Sequence, residues 1–157
     1  MKINKLLLIL TLILCLVACA PTDSGGAATK TMAETVEDES KPDVPLTNTY
    51  WKLVALNGGA VQPGEGKELH MILKGDDRVS GYSGCNQFMG SVVVNGDGLS
   101  FGPIAGTRRM CEGSMDQENA FLQALESAYR FSISGEDLAV ENANGEIAMR
   151  FVAVYLE

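Results

Sequence analysis

The chain has 157 residues, four cysteines, one histidine and a formal net charge of −8. An acidic protein whose only adjacent basic residues are Arg108 and Arg109 lacks the dense positive charge that nucleic-acid binding requires, so we expect no nucleic-acid partner. The part from Thr49 onward is long enough for one domain with one core.

The N-terminus has the pattern of a bacterial secretory signal. Two lysines precede an apolar run from Leu6 to Val17, which is shorter than the ~20 apolar residues that span a bilayer. Leu16 to Cys19 resembles the lipobox, in which a small residue precedes a cysteine that is diacylated and becomes the new N-terminus. The pattern predicts a signal peptide over residues 1–18 and attachment of lipid, with palmitate expected among the acyl chains, at Cys19.

The composition of residues 19–48 predicts a disordered acidic tether that begins at the lipid-bearing cysteine. They are rich in Thr, Ala, Ser, Gly, Pro and acidic residues, and this composition buries too little apolar surface to offset chain entropy. Ala20 follows the lipid-bearing cysteine where enteric lipoproteins retained in the inner membrane usually carry aspartate. By that resemblance we expect a lipid-anchored protein of the bacterial cell envelope, in the outer membrane and facing the periplasm.

From Tyr50 onward the dominant hydrophobic period is two, which is typical of β-strands. Connections such as Asn95–Gly98 are short and rich in Asn and Gly, which favours antiparallel hairpins. Trp51, Leu53 and Ala55 are expected to share one face of the first segment. In a later segment Tyr129, Phe131 and Ile133 are expected to point inward. The pattern predicts an α+β domain, mostly β, over residues 49–157. We expect a curved antiparallel sheet or partial barrel of about seven or eight strands, packed with one α-helix.

One segment has the helical period instead. Ser114 is a candidate N-cap, and Gln117 three residues later would complete a capping box. Asp116 and Glu118 suit the positive N-terminal end of a helix. An apolar stripe follows at helical spacing, formed by Phe121, Leu122, Leu125 and Tyr129. We therefore expect a helix from about residue 115 to about residue 128, packed on the sheet.

The stretch SGYSGCNQFMG, residues 80–90, is compatible with a nucleophile, half a metal site or a turn held by a disulfide. A Cys-His pair with Cys85 and His70 is the one catalytic alternative, but His70 is expected to face solvent, and the spacing of a nucleophile elbow is absent. The sequence has no CxxC, phosphate loop or dinucleotide fingerprint. We therefore predict no catalytic residue, no metal ligand and no cofactor.

The cysteines favour the disulfide. Cys15 leaves with the signal peptide and Cys19 is acylated, so Cys85 and Cys111 remain in an oxidising compartment where thiols tend to pair. We predict a bond between them, with Cα atoms within ~7 Å. The side chain of Asn86 is expected to fold onto nearby backbone amides. Three glycines are expected to supply backbone conformations that other residues disfavour: Gly81, Gly84 and Gly90.

Five elements occur in order along residues 49–154, and together they resemble the META domain, also called the HslJ-like domain. They are Trp51-Lys52-Leu53, Gly84-Cys85-Asn86-Gln87-Phe88-Met89-Gly90, Thr107-Arg108-Arg109-Met110-Cys111, Phe121-Leu122-Gln123-Ala124-Leu125, and a strand-turn-strand ending with Phe131, Ile133, Gly135 and Leu138. The resemblance implies a small antiparallel β-rich domain with one helix, often on envelope lipoproteins and linked to antibiotic tolerance. It transfers no catalytic residues.

These observations favour a non-enzymatic binding or stabilising module that acts in envelope stress. Its partners would be the membrane, through the lipid on Cys19, and an envelope protein or ligand of unknown identity. Arg108 and Arg109 are the candidate partner contacts, because they stand out on an acidic domain; a surface salt bridge is the alternative for them. Two other functions stay open: a small-ligand-binding β-domain, and a thiol hydrolase that uses Cys85.

Overall fold

The computed structural model describes residues 42–62 and 67–155. The signal peptide, Cys19 and the tether up to residue 41 lie outside the described residues. Within the described ranges the chain forms ten strands and one helix. In order they are β1 (Tyr50–Leu56), β2 (Gly59–Ala60), β3 (His70–Leu73), β4 (Arg78–Tyr82), β5 (Gln87–Asn95), β6 (Gly98–Phe101), β7 (Ala105–Gly106), α1 (Met115–Glu126), β8 (Ala128–Ser134), β9 (Asp137–Asn142) and β10 (Ile147–Val154).

Eight of the strands close into an antiparallel barrel in the order β1-β3-β4-β5-β6-β8-β9-β10. The barrel closes because β10 pairs with β1 as well as with β9, which brings Tyr50 opposite Val154. The two short strands lie beside it, β2 on β1 and β7 on β5. This arrangement confirms the predicted class, α+β and mostly β, and it shows that the sheet is a closed barrel.

The turns form where the local sequence favours them. Asn95 pairs with Gly98 across the predicted hairpin, and Gly96 there has a φ of 60°. In β3 the alternation also holds, since Met71 and Leu73 are buried while His70 between β1 and β4 is half-buried. These features rest on neighbouring residues alone and were therefore predictable.

The helix α1 packs its apolar face against the barrel core. Phe121 and Leu125 are fully buried. The Phe121 ring lies 5.8 Å from that of Phe88 on β5 and 6.2 Å from that of Phe151 on β10, measured between ring centroids. The helix therefore joins strands from both halves of the domain into one core. No helix in residues 42–62 and 67–155 combines the length and the apolar character needed to cross a membrane.

The predicted inward position of Tyr129 is wrong. The helix ends at Glu126, so Tyr129 does not extend its apolar stripe, and β8 has an irregular register between Ala128 and Arg130. A bulge of this kind shifts the alternation of side chains by one residue. Ala128 takes the buried position and the Tyr129 side chain is 59% exposed. A similar shift in β1, between Leu53 and Ala55, leaves Ala55 only half-buried.

The predicted capping box does not form. Ser114 occupies the N-cap position, but its side chain makes no capping hydrogen bond. The Gln117 side chain bonds instead to the main chain of Gln62: its Oε1 accepts from the Gln62 N–H at 2.8 Å, and its Nε2 donates to the Gln62 carbonyl at 3.1 Å. The motif therefore predicts the start of the helix correctly, but the Gln117 side chain bonds to a distant loop and not to the N-cap residue.

The barrel contacts of the chain begin before residue 49. Val44 and Leu46 pack against the core, and the Val44 N–H donates to the Gly135 carbonyl at 3.0 Å. The indole Nε1 of Trp51 donates to the Leu46 carbonyl at 2.8 Å. Residues 43–48, which the composition assigned to the tether, are therefore part of the folded unit.

Replacing Trp51 with phenylalanine is expected to lower the free energy of unfolding by about 2 kcal/mol. The change removes the bond to the Leu46 carbonyl, worth about 1 kcal/mol, and leaves a small cavity in the core. Urea unfolding measures the loss. Hydrogen exchange at the Val44 and Asn48 amides should accelerate more than after Phe151→Leu, a core truncation that keeps the bond. Equal acceleration in both variants would show that Trp51 does not hold this segment.

Candidate functional site

The candidate site is built around a buried carboxylate. Glu118 lies in the first turns of α1 and is 4% exposed. Its Oε2 accepts hydrogen bonds from Ser83 Oγ at 2.7 Å, from the Asn86 N–H at 2.8 Å and from the Cys85 N–H at 3.1 Å. Its Oε1 accepts from Asn86 Nδ2 at 2.8 Å. One helical side chain therefore holds the turn between β4 and β5.

These bonds decide the charge state of Glu118. Burial is the largest single influence and raises the pKa of the carboxyl, because a charge is disfavoured away from water. The bonds from Ser83, Asn86 and Cys85 favour the charged form, and together they outweigh burial. The pKa of Glu118 therefore lies below its ordinary value, and the group is ionised at neutral pH.

Sequence reasoning missed this role, since it interpreted Glu118 only as a charge at the helix N-terminus. One feature of the sequence indicated that the Glu118 side chain would be buried. Glu118 lies three residues before Phe121 and seven before Leu125, which places a carboxylate on the apolar face of an amphipathic helix. A charge on a buried face requires hydrogen-bond partners. Ser83, the principal side-chain donor, carried no comparable signal.

Asn86 links the turn to a distant segment. Its Oδ1 accepts from the Arg109 N–H at 2.7 Å and from Thr107 Oγ1 at 2.8 Å. Its Nδ2 donates to the Arg109 carbonyl at 3.0 Å as well as to Glu118. The side chain was expected to bond to nearby backbone amides. It bonds instead to the main chain of Arg109, more than twenty residues further along the chain.

The predicted disulfide is confirmed. Cys85 and Cys111 are bonded, with their Cα atoms 5.8 Å apart. Because Asn86 holds Thr107 and Arg109 and the disulfide holds Cys111, the segment Thr107–Cys111 is fixed at both ends to the β4–β5 turn. We call this segment the clamped loop. The side chains of Arg108 and Arg109 are exposed on it.

Only one of the three glycines has an unusual backbone conformation. Gly84 has a φ of 119°, which residues with a Cβ disfavour. Gly81 and Gly90 serve close approach instead. A Cβ at Gly81 would lie 2.1 Å from the His70 carbonyl oxygen, and one at Gly90 would lie 2.6 Å from Ile104 Cδ1.

A groove of about 440 Å³ lies beside the clamped loop, between the chain before it and α1. Its apolar residues include Phe88, Ile104 and Leu122, and its polar residues include Arg108 and Glu126. Arg108 therefore borders a concave surface, whereas Arg109 is not among the lining residues. The structure brings the two predicted partner contacts, the disulfide and the buried carboxylate into one region.

The two residues of the catalytic alternative, His70 and Cys85, make contacts that stabilise the fold. His70 is half-buried and its ring stacks on Tyr50, with centroids 4.3 Å apart, and more distantly on Tyr82 at 6.5 Å. Cys85 has its sulfur in the disulfide. Across the described part of the chain, no group of three or more His, Cys, Asp or Glu side chains is placed to hold a metal ion.

Comparison with known proteins gives two kinds of match. An NMR structure of a protein from Burkholderia xenovorans is 24% identical, with a TM-score of 0.59, over 89% of this chain and all of that one. A second NMR structure is 18% identical, with a TM-score of 0.56, over 69% of this chain and 94% of that one. At these identities the likeness shows the fold. The comparison with curated proteins found no match. The family model of the META domain matches residues 44–155, which is most of the chain and the whole of the barrel, and this chain therefore belongs to the META domain family.

Proposed function

We propose that this protein is a non-enzymatic binding module of the bacterial envelope, anchored in the outer membrane by lipid on Cys19 and facing the periplasm. In this proposal the domain contacts an envelope partner through the clamped loop and the adjoining groove. A role in envelope stress or antibiotic tolerance is part of the proposal and rests on the family resemblance.

The observation that carries the proposal is how firmly the clamped loop is held. The disulfide holds Cys111, the paired bonds of Asn86 hold the main chain of Arg109, and the buried carboxylate of Glu118 in turn holds the Asn86 side chain. Meanwhile Arg108 and Arg109 extend into solvent and form no ion pair with any described acidic side chain. A rigid loop with available charges loses little conformational entropy on binding, which favours recognition.

The same groups are poorly suited to catalysis. A carboxylate whose pKa is lowered is a weaker base than an ordinary glutamate, and both oxygens of Glu118 already accept hydrogen bonds. A thiol enzyme needs a thiolate, and the sulfur of Cys85 is bonded to Cys111. These features support a binding role over the thiol-hydrolase alternative.

Small-ligand binding is the second candidate. The barrel interior is filled by large side chains, including Trp51, Phe121 and Phe151, which are fully buried. The groove, in contrast, has a volume within the range of about 300 to 1,000 Å³ found for small-molecule sites. If the protein binds a small ligand, we therefore place that ligand in the groove, at the same surface.

Photo-crosslinking in cells tests the proposal. A photoreactive amino acid at position 108 of the anchored chain is expected to give a specific covalent adduct with an envelope protein. The matched control is position 78, where the exposed Arg78 pairs with Asp76 near the opposite end of the strands. The Cys19→Ser form should be released from the membrane and should lose the adduct. Equal adducts at both positions would contradict the proposed surface, and turnover of a substrate by the purified chain without any adduct would favour an enzyme.

A further inference from the structure

Among residues 42–62 and 67–155, the strand β7 has a partner on one side only. It pairs with β5, Gly106 opposite Phe88 and Ala105 opposite Met89. On its other side lies α1, across the groove, because Leu122 and Glu126 of the helix line the same space as residues 104–108. The edge of β7 therefore faces a concave surface and not another strand.

Alternate residues of this segment direct their main-chain groups to opposite sides. The Thr107 N–H donates to the Gln87 carbonyl at 3.0 Å, and both main-chain groups of Arg109 bond to the Asn86 side chain, so these residues face β5 and the turn that precedes it. By the alternation of an antiparallel ladder, the N–H and C=O of Gly106 point the other way, and we infer the same for Arg108 because Thr107 and Arg109 on either side of it both face the β5 side. The loops and turns of the described residues form no backbone hydrogen bond to them. Asn86 thus extends an open strand edge beyond β7 itself.

The dimensions of the groove suit an extended chain. Residues 104–108 run along one wall, and at the rise of a strand they cover about 13 Å. Glu118, Leu122 and Glu126 recur along the helical wall, and at the rise of an α-helix they cover about 12 Å. Two walls of similar length, one of them an open strand edge, form the kind of site in which a peptide adds to a sheet.

The residues that line the groove favour a peptide over a lipid acyl chain as its ligand. Ile104 on the strand side and Leu122 on the helix, both half-buried, provide the apolar lining of the groove. Arg108 borders the groove and forms no ion pair with an acidic side chain of the described residues, while the exposed Glu126 places a negative charge on the helical wall. A lipid acyl chain would fill the apolar part, but it would leave the N–H and C=O groups of Gly106 and Arg108 unpaired. An extended peptide can fill the apolar part with a side chain and pair these main-chain groups with its own.

We propose that an extended peptide segment of the envelope partner binds as an additional strand on the outer edge of β7. Its main chain pairs with Gly106 and Arg108, one apolar side chain contacts Ile104 and Leu122, and an acidic side chain pairs with Arg108. This inference rests on the proposed binding function and names the chemistry and the mode of attachment of the partner.

Selection of peptides from a random heptapeptide library against the purified full chain provides the probe. Recovered sequences are expected to combine an apolar residue with an acidic one. Each selected peptide is then resynthesised with one backbone nitrogen methylated at a time. Methylation at every second residue should weaken binding tenfold or more, and methylation at the intervening residues less than twofold, because only alternate N–H groups face the strand edge.

Amide hydrogen exchange locates the contact on the protein. The Gly106 and Arg108 amides should exchange at least tenfold more slowly when a selected peptide is bound. The Thr107 amide is an internal control, since it is already bonded to Gln87 and should change little. Leu122→Arg should weaken binding at least tenfold, whereas Gln123→Arg, at an exposed neighbouring position outside the groove lining, should change it less than twofold.

The outcomes separate this inference from the proposed function. Peptides that bind without the alternating methylation pattern, or a library that yields no peptide protecting Gly106, overturn strand addition. An adduct at position 108 in cells would still support the binding function in either case. Protection of Gly106 that rises with protein concentration without peptide identifies a second copy as the occupant. If detergent displaces a selected peptide and the alternating effect of methylation remains, the site is a peptide site. If detergent binds in the groove and no peptide does, the occupant is a lipid.

Discussion

Replacing Glu118 with alanine is expected to lower the free energy of unfolding by about 3–5 kcal/mol. The substitution leaves the Cys85 N–H, the Asn86 N–H and one N–H of Asn86 Nδ2 without an acceptor, whereas Ser83 Oγ can still donate to the Asn86 carbonyl at 2.9 Å. Bonds to a charged group are stronger than neutral ones, and a buried donor without a partner costs about 1–3 kcal/mol. Urea unfolding at neutral pH measures the loss. Asp116→Asn, at an exposed position in the same turn, is the control and should change stability by less than about 0.5 kcal/mol.

The contribution of Glu118 should also depend on pH. Its pKa is lowered in the folded protein, so the stabilisation is complete above the unfolded value of about 4.3. As the pH falls below that value towards the folded pKa, the unfolded chain takes up the proton first and the stabilisation is lost. Glu118→Gln removes the titrating group. The variant should therefore lose less stability than the wild type between about pH 5 and pH 3.

Two results would contradict this role of Glu118. One is a loss of less than about 1 kcal/mol in Glu118→Ala. The other is an identical acid dependence of stability in Glu118→Gln and the wild type. Either would mean that the turn between β4 and β5 keeps its conformation without the carboxylate, and that other groups hold the clamped loop.

Removing the disulfide by the double change Cys85→Ala and Cys111→Ala is expected to cost about 3–4 kcal/mol. The bond closes a loop between residues 26 apart, and closing a loop of this length restricts the unfolded chain by about that amount. Replacing both residues avoids a free thiol that would react further. Urea unfolding of the oxidised wild type and the double variant measures the difference.

The effect on the clamped loop should be local as well as global. The residue at position 111 should become more mobile in the double variant than Thr107 and Arg109, because Asn86 still bonds to those two residues. A reducing agent should destabilise the wild type and leave the double variant unchanged, which is the matched control. If the reducing agent affects both proteins equally, or if the double variant keeps full stability, the disulfide does not brace the loop.

The amino-acid sequence by itself determined the local elements and the disulfide. Alternation in β3, the Asn95–Gly98 hairpin and the start of α1 depend on residues close together in the chain, so their patterns are readable one segment at a time. The pairing of Cys85 with Cys111 followed from the small number of cysteines, since only one partner remained.

Only the tertiary structure decided how these elements meet. The barrel closes through Tyr50 opposite Val154, residues from the two ends of the domain, and no local pattern specifies that pairing. Tyr129 points outward because a bulge shifted the register of β8 against β9. Glu118 binds Ser83 from 35 residues away along the chain. Register and hydrogen bonding between distant segments depend on how the whole core packs, which is why the carboxylate at the centre of the candidate site was visible only in the fold.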